Sequence, residues 1–313
     1  MTPVNRVDRS SSYYKQVKLL VQLIPFVAEQ SCFALKGGTA INLFVRNMPR
    51  LSVDIDLVYL PFRPREEALC EIRQALDAIA QTIQRKLIGV DIVKAYLHKN
   101  DSLRLIVGHN DVQVKIELSP VLRGTVFEPA LMTVCETVED EFGFAEIAVV
   151  TLPDLYAGKI CAALDRQHPR DLFDIKWLLE NEGVTNDICK ALVVYLVSHN
   201  RPLSELLSPQ RKNIKAIYEG EFAEMTEVDV PLRELEAVRE NLIELVHSRL
   251  TLTQKRFLLS FKSRQPSWEL LGVEGVEKLP AIKWKLHNLS KMPNDKHHKA
   301  YERLKDILSL IKD

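Results

Sequence analysis

Apolar residues recur at three- and four-residue spacing through positions 13–31, where Val17, Leu20, Val21, Ile24 and Val27 form one stripe. That period predicts an amphipathic helix, with Pro25 removing one amide donor inside it. Residues 32–35 are a short apolar run, a strand by length, and they lead into Lys36-Gly37-Gly38-Thr39 and then a helix over 40–46. Over 51–60 the period changes to two, so Val53, Ile55 and Leu57 fall on one face of a strand and Ser52, Asp54 and Asp56 on the other. Helical spacing returns over 64–87, with Leu69, Ile72, Ala75, Leu76, Ile79 and Ile83 on one stripe. Three further alternating runs, 92–97, 102–107 and 112–118, are bounded by polar turns at 98–101 and 108–111. In the last run Gln113, Lys115 and Glu117 share the outward face.

From Thr151 the pattern turns helical. Thr151-Leu152-Pro153-Asp154 supplies a cap, a proline in the first turn and an acid, which together favour a helix start. Leu152, Leu155, Tyr156, Ile160, Ala163 and Leu164 make its apolar stripe, and Lys159 and Arg166 fall on the same side. Cations on an inward face are costly unless they meet anions or their stems carry the charge out to water. Arg166 to Asp174 then leads into a helix over 175–180. Arg170 is four residues from Asp174, and Asp171 and Asp174 stand near the helix start, where the dipole favours acids. Capping and a surface ion pair account for that spacing as well as chemistry does. Helical pattern continues to the end, with breaks at 198–202 and 220–230. The elements predict an α+β fold, with one domain over 1–150 and a helical one over 151–313.

Composition narrows the class. The chain has 313 residues, 46% hydrophobic and 27% charged, which is ordinary for a folded globular protein. Lys plus Arg and Asp plus Glu are 42 each, so there is no global basic excess and any nucleic acid must be held by a local patch. One such patch is 281–313, where Lys283, Lys285, Lys291, Lys296, Lys299, Arg303, Lys305 and Lys312 outnumber Asp295, Glu302, Asp306 and Asp313. It suits either a solvated helix end or a phosphate backbone. Five cysteines lie far apart with no Cys-x-x-Cys pair, against a zinc site or a disulfide framework. No apolar run reaches membrane length and no signal core opens the chain, which predicts a soluble cytoplasmic protein without membrane partners.

The candidate chemistry sits between 36 and 57. Gly37 and Gly38 allow the backbone to approach phosphate oxygens closely, and Thr39 offers a hydroxyl and an N–H at a helix start. Asp54 and Asp56 place two carboxylates on one strand face, a donor set for Mg2+ carried on a nucleoside triphosphate. Glu117 adds a third carboxylate if its strand pairs beside them. An ordinary half-exposed sheet edge has the same alternation.

Taken in order, Lys36-Gly37-Gly38-Thr39-Ala40, Ser52-Val53-Asp54-Ile55-Asp56-Leu57, Val114-Lys115-Ile116-Glu117, and the block from Leu155 through Lys159 to Arg170-Asp171-Leu172-Phe173-Asp174 resemble the AbiEii/AbiGii toxin family of nucleotidyltransferases. The stretch 257–289, with Trp268 and Leu279-Pro280-Ala281-Ile282-Lys283-Trp284-Lys285-Leu286, is similar to that family's C-terminal region. The first two motifs are shared with the DNA polymerase β-like superfamily, which usually has serine where Thr39 stands. The resemblance implies a polymerase β-like domain of mixed sheet flanked by helices, then a helical domain that closes over the nucleotide. It implies the toxin of a type IV toxin–antitoxin pair, with a separate antitoxin encoded nearby, adding nucleotides to a tRNA 3′ end and so blocking translation. Under it, Asp54, Asp56 and Glu117 hold Mg2+ or Mn2+. Gly37, Gly38, Thr39, Ser52 and Arg166 contact the NTP, Lys159 meets charge developing on the phosphates, and Asp171 and Asp174 orient Lys159 or the acceptor. Two other readings keep the same residues: transfer to a protein or small-molecule hydroxyl, and an NTP-binding module without turnover that acts through a partner.

Overall fold

Antiparallel pairing of two apolar strands, Lys36 opposite Asp56 and Phe33 opposite Tyr59, forms the centre of a seven-stranded mixed sheet. The computed structural model describes residues 9–99, 102–226 and 228–309; Asn100 and Asp101 of the expected turn and Lys312 and Asp313 of the basic segment lie outside them. Helix α1 (Ser12–Ala28) is capped by the Ser11 hydroxyl, buries Val17, Leu20, Val21, Ile24 and Val27, and contains Pro25 without ending there. Strand β1 (Phe33–Lys36) runs directly into α2 (Gly37–Ala40), which continues as one π-helical turn, Ile41–Val45, closed by the Arg46 N–H on the Ile41 carbonyl at 2.8 Å. The helix expected from Ala40 therefore begins at Gly37, and the glycine turn is its first turn.

β2 (Asp54–Tyr59), α3 (Arg65–Lys86), β3 (Asp91–Lys94), β4 (Arg104–His109) and β5 (Val112–Leu118) follow. The strand expected over 92–97 stops at Lys94, because Ala95–Leu97 tighten into a single turn that buries Tyr96, its hydroxyl donating to Asp77 of α3 at 2.9 Å. β6 (Ala130–Thr133), α4 (Glu136–Phe142) and β7 (Glu146–Val149) complete the sheet in a stretch whose pattern predicts no element. The strand order is β3-β4-β5-β2-β1-β7-β6; β2 with β5 and β1 with β7 are parallel, and the other neighbours are antiparallel. Helices α1 and α3 contact one another and cover the face toward which Tyr59 points, where its hydroxyl donates to Glu71 of α3.

The described chain forms two compact units. The first runs to Thr151 and takes in Glu221–Asp229; the second comprises Leu152–Gly220 and the chain from Val230 on. In the first unit the returning segment pairs with the approach to β2: Leu51 N–H donates to the Met225 carbonyl at 2.7 Å, and Arg50 bridges Thr226. The second unit is helical: α5 (Leu152–Arg166), α6 (Pro169–Glu180), α7 (Asn186–Ser198), α8 (Leu203–Leu207), α9 (Lys215–Glu221), α10 (Leu232–Arg249), α11 (Leu252–Lys262), α12 (Pro280–Ser290) and α13 (Asn294–Ile307). Helix α6 starts at Pro169, earlier than the expected 175, because the His168 ring accepts the Arg170 N–H and proline suits the first helical position. Among the described residues no helix is long and apolar enough to cross a membrane.

Candidate active site

The glycine turn lies on the acidic strand. Gly37 has φ +75°, and a Cβ there would stand 2.6 Å from Asp56 Oδ2; one on Gly38 would stand 2.7 Å from Arg50 Nη2 and 3.1 Å from Ser52 Oγ. Only a residue without a side chain lets this backbone pass so close to the carboxylate, and the positive φ at Gly37 excludes most others independently. Asn42 Nδ2 donates to the Gly38 carbonyl at 2.9 Å and so braces the turn from within its own helix.

Thr39 and Ser52 lie between the turn and β2. Thr39 is 1% exposed, shares a hydrogen bond with Ser52 Oγ at 3.0 Å and donates to the Asp54 carbonyl. Ser52 is also buried. Their hydroxyls fasten the turn to the approach to β2. Asp54 and Asp56 are half-buried on the shared face, as the alternation predicts. The arginine at 50 has the same parity and is 2% exposed beside Gly38, giving the turn a cation that the sequence reading passes over. Its signal was available: Arg50, Ser52, Asp54 and Asp56 are successive alternate positions.

Glu117 arrives where the sheet had to bring it. Parallel register sets Asp56 opposite Glu117 and Asp54 opposite Lys115 on neighbouring strands, about 4.8 Å apart. Its carboxylate, however, accepts from Arg104 Nε at 2.7 Å, across the other side of β5. Among the described residues no three His, Cys, Asp or Glu side chains are grouped as around an ion, while the register keeps Glu117 beside Asp56. Two carboxylates beside a turn that a Cβ would block do fit a divalent ion arriving with a triphosphate, which takes its remaining ligands from phosphate and water. Lys115, opposite Asp54, also places a cation in this register.

The other expected residues meet inside the second unit. Lys159 is 7% exposed, and its ammonium lies 2.9 Å from Asp171 Oδ1 and 2.9 Å from Asp174 Oδ2. Arg166 grips Asp171 with two donors, Nε to Oδ2 and Nη2 to Oδ1 at 2.9 Å, while its side chain stays 60% exposed. Thus Lys159 turns inward onto anions, whereas Arg166 reaches its anion from solvent. Burial by itself would push the Asp171 carboxyl up, but Lys159 and Arg166 outweigh it and hold the group well below the usual carboxylate range.

A glycine turn folded onto a paired-aspartate strand in a mixed sheet, with a helical unit after it, is the build of a nucleotidyltransferase. Over residues 18–271 the sequence matches the family described as the nucleotidyl transferase AbiEii toxin of type IV toxin–antitoxin systems, and the chain belongs to that family. The fold is similar to that of MenT4, a nucleotidyltransferase toxin from Mycobacterium tuberculosis H37Rv, with a TM-score of 0.60 over 89% of this chain and 93% of that one at 14% sequence identity. No curated protein sequence matches. Family membership makes the chain a nucleotidyltransferase toxin and implies an NTP substrate and an antitoxin partner.

Proposed function

We propose that the chain transfers a nucleoside monophosphate from an NTP to the 3′ hydroxyl of an RNA acceptor, a tRNA end above all, and thereby blocks translation in the cytoplasm until its antitoxin opposes it. The observation that supports this reading is the close approach of the Gly37 backbone to the Asp56 carboxylate, which would set a phosphate beside a metal held by that strand. In the reaction the acceptor oxygen bonds to the α-phosphorus, the bond from that phosphorus to the bridging oxygen breaks, pyrophosphate leaves, and the hydroxyl proton passes to solvent.

Asp54 and Asp56 would hold Mg2+ or Mn2+, which supplies charge neutralisation on the triphosphate and a lowered pKa for an attacking hydroxyl. The amides of the turn at Gly37 and Gly38 would donate to phosphate oxygens, and Arg50 beside Gly38 adds a cation. The Lys159, Arg166, Asp171 and Asp174 cluster is assigned to the same reaction on the family resemblance. Within it Arg166 is the member open to an anionic substrate, and Lys159 with the two aspartates holds that arginine in place.

The test is incubation with labelled NTPs and total tRNA, followed by separation of RNA from protein. Label on RNA 3′ ends is expected; label on protein, or magnesium-dependent NTP binding with no pyrophosphate released, would favour the other readings. Asp54→Ala and Asp56→Ala should abolish pyrophosphate release and leave the unfolding temperature nearly unchanged, since neither side chain is buried in the core. Unfolding of either variant would make these acids structural.

A further inference from the structure

Arg123, in the loop after β5, is 5% exposed, and its Nε and Nη1 are buried with no hydrogen-bond partner among the described residues. Two contacts set its surroundings. Gly124 N–H donates to the Tyr59 carbonyl at the end of β2 at 2.7 Å, and Arg65, the first residue of α3, donates to the Pro120 carbonyl at 3.4 Å. Arg123 therefore sits between the carboxyl end of β2 and the start of α3. Of the acids on α3, Glu66 and Glu67 lie in its exposed first turn, and Glu71 already accepts from the Tyr59 hydroxyl and lies 3.9 Å from Arg63. Burial first, and the like charge of Arg65 next, lower the affinity of Arg123 for its proton, while Tyr59 acts the other way. Buried charges in folded proteins are compensated by a counter-charge, and buried donors are matched by acceptors.

We propose that Arg123, with Arg65 beside it, forms a binding site for an oxyanion of the phosphate class, separate from the aspartate pair. A guanidinium gives phosphate directional, charge-assisted hydrogen bonds. Two arginines near one another favour an anion carrying more than one negative charge, which selects phosphate over a single carboxylate. The site is distinct because Tyr59 and Asp56 have opposite strand parity: Tyr59 points to α3, whereas Asp56 meets Gly37. The phosphate has two possible sources, free phosphate or pyrophosphate, and the terminal phosphate of a polynucleotide.

The experiment uses the full chain labelled with 15N-arginine, titrated at constant ionic strength with inorganic phosphate, pyrophosphate, and a short RNA with or without a 5′ phosphate. Phosphate or pyrophosphate is expected to raise the unfolding midpoint by a few degrees and to move the Arg123 Nε resonance. Arg123→Gln should lose most of that rise, and Asp56→Ala should keep it, which separates this site from the nucleotidyl-transfer reading. If only the 5′-phosphorylated RNA acts, by at least tenfold over its unphosphorylated form and through Arg123, the phosphate belongs to a polynucleotide. An undiminished rise in Arg123→Gln, or no response to any of the four probes, overturns the site. Should Arg123→Gln fail to fold, the wild-type resonance decides, and an unmoved signal is the overturning result.

Discussion

Gly37 shows how little room a single position leaves. Its φ of +75° and the 2.6 Å separation between a built Cβ and Asp56 Oδ2 mean that Gly37→Ala is opposed twice. The left-handed backbone costs an L-residue about 1–2 kcal/mol, and the methyl group must move the carboxylate as well. NTP turnover should fall at least tenfold while the unfolding temperature drops by several degrees; a variant with normal turnover would mean that the contact carries no function. Asp171 offers the opposite case, a charged group whose first duty is stability. Its folded pKa is depressed below the unfolded value of about 3.9, so its contribution is complete above about pH 4 and is lost as the pH falls below that. Asp171→Asn should cost about 3 kcal/mol at neutral pH, by leaving Lys159 with less counter-charge in a buried place, and should flatten the acid limb of the stability curve. Arg166→Ala, at a side chain mostly in water, should cost under about 1 kcal/mol and show its effect in turnover instead. Urea denaturation across pH measures the first, and pyrophosphate release the second. At this scale the aspartate pair was legible from alternation, and Arg50 could have been. The attachment of Glu117 to Arg104 was not, since the two meet only through the register of β4 against β5.

At the scale of elements, long periodic segments were legible and short or capped ones were not. Helices α1 and α3 follow their apolar stripes because each repeats over several turns. The start of α6 was misplaced by several residues, because the signal was a histidine cap followed by proline rather than periodicity. β6 and β7 are four residues each, too short for alternation to stand out, and are strands because β1 offers β7 a parallel edge. The C-terminal helices carry a further expectation. Trp284 is 56% exposed on α12 and stacks on His287, with ring centroids 5.8 Å apart and planes at 28°, in a stretch with no acid from Leu279 to Asn294. Lys283 and Lys291 flank it. If RNA is the acceptor, a base stacking there is worth about 1–3 kcal/mol, so Trp284→Ala should weaken RNA binding by about tenfold or more. NTP binding should be unchanged. Anisotropy of a labelled tRNA measures the first, and equal affinity in the two proteins would remove α12 from the interface.

For the whole molecule, the first unit is discontinuous. The segment Glu221–Asp229 returns to it after the chain has passed through several helices, and there Met225 and Thr226 pair with Leu51 and Arg50, just ahead of the acidic strand. A fragment ending at Thr151 lacks those contacts. It should melt well below the full chain and show no NTP-dependent rise in its unfolding temperature; a fragment that binds NTP normally would mean that the return segment is dispensable. The sequence by itself determined the face on which Asp54 and Asp56 lie, the helical stripes, the glycine turn and the family resemblance. Each of those is a local property, set by the period of the backbone and by the steric demands of single residues. Only the tertiary structure decided that the glycine turn lies close to Asp56, that Glu117 pairs with Arg104, that the Thr39 and Ser52 hydroxyls meet, and that Arg123 is a buried cation. Those depend on which distant segments pair and in what register, and that choice is made by the free energy of the assembled core rather than by any one stretch of chain.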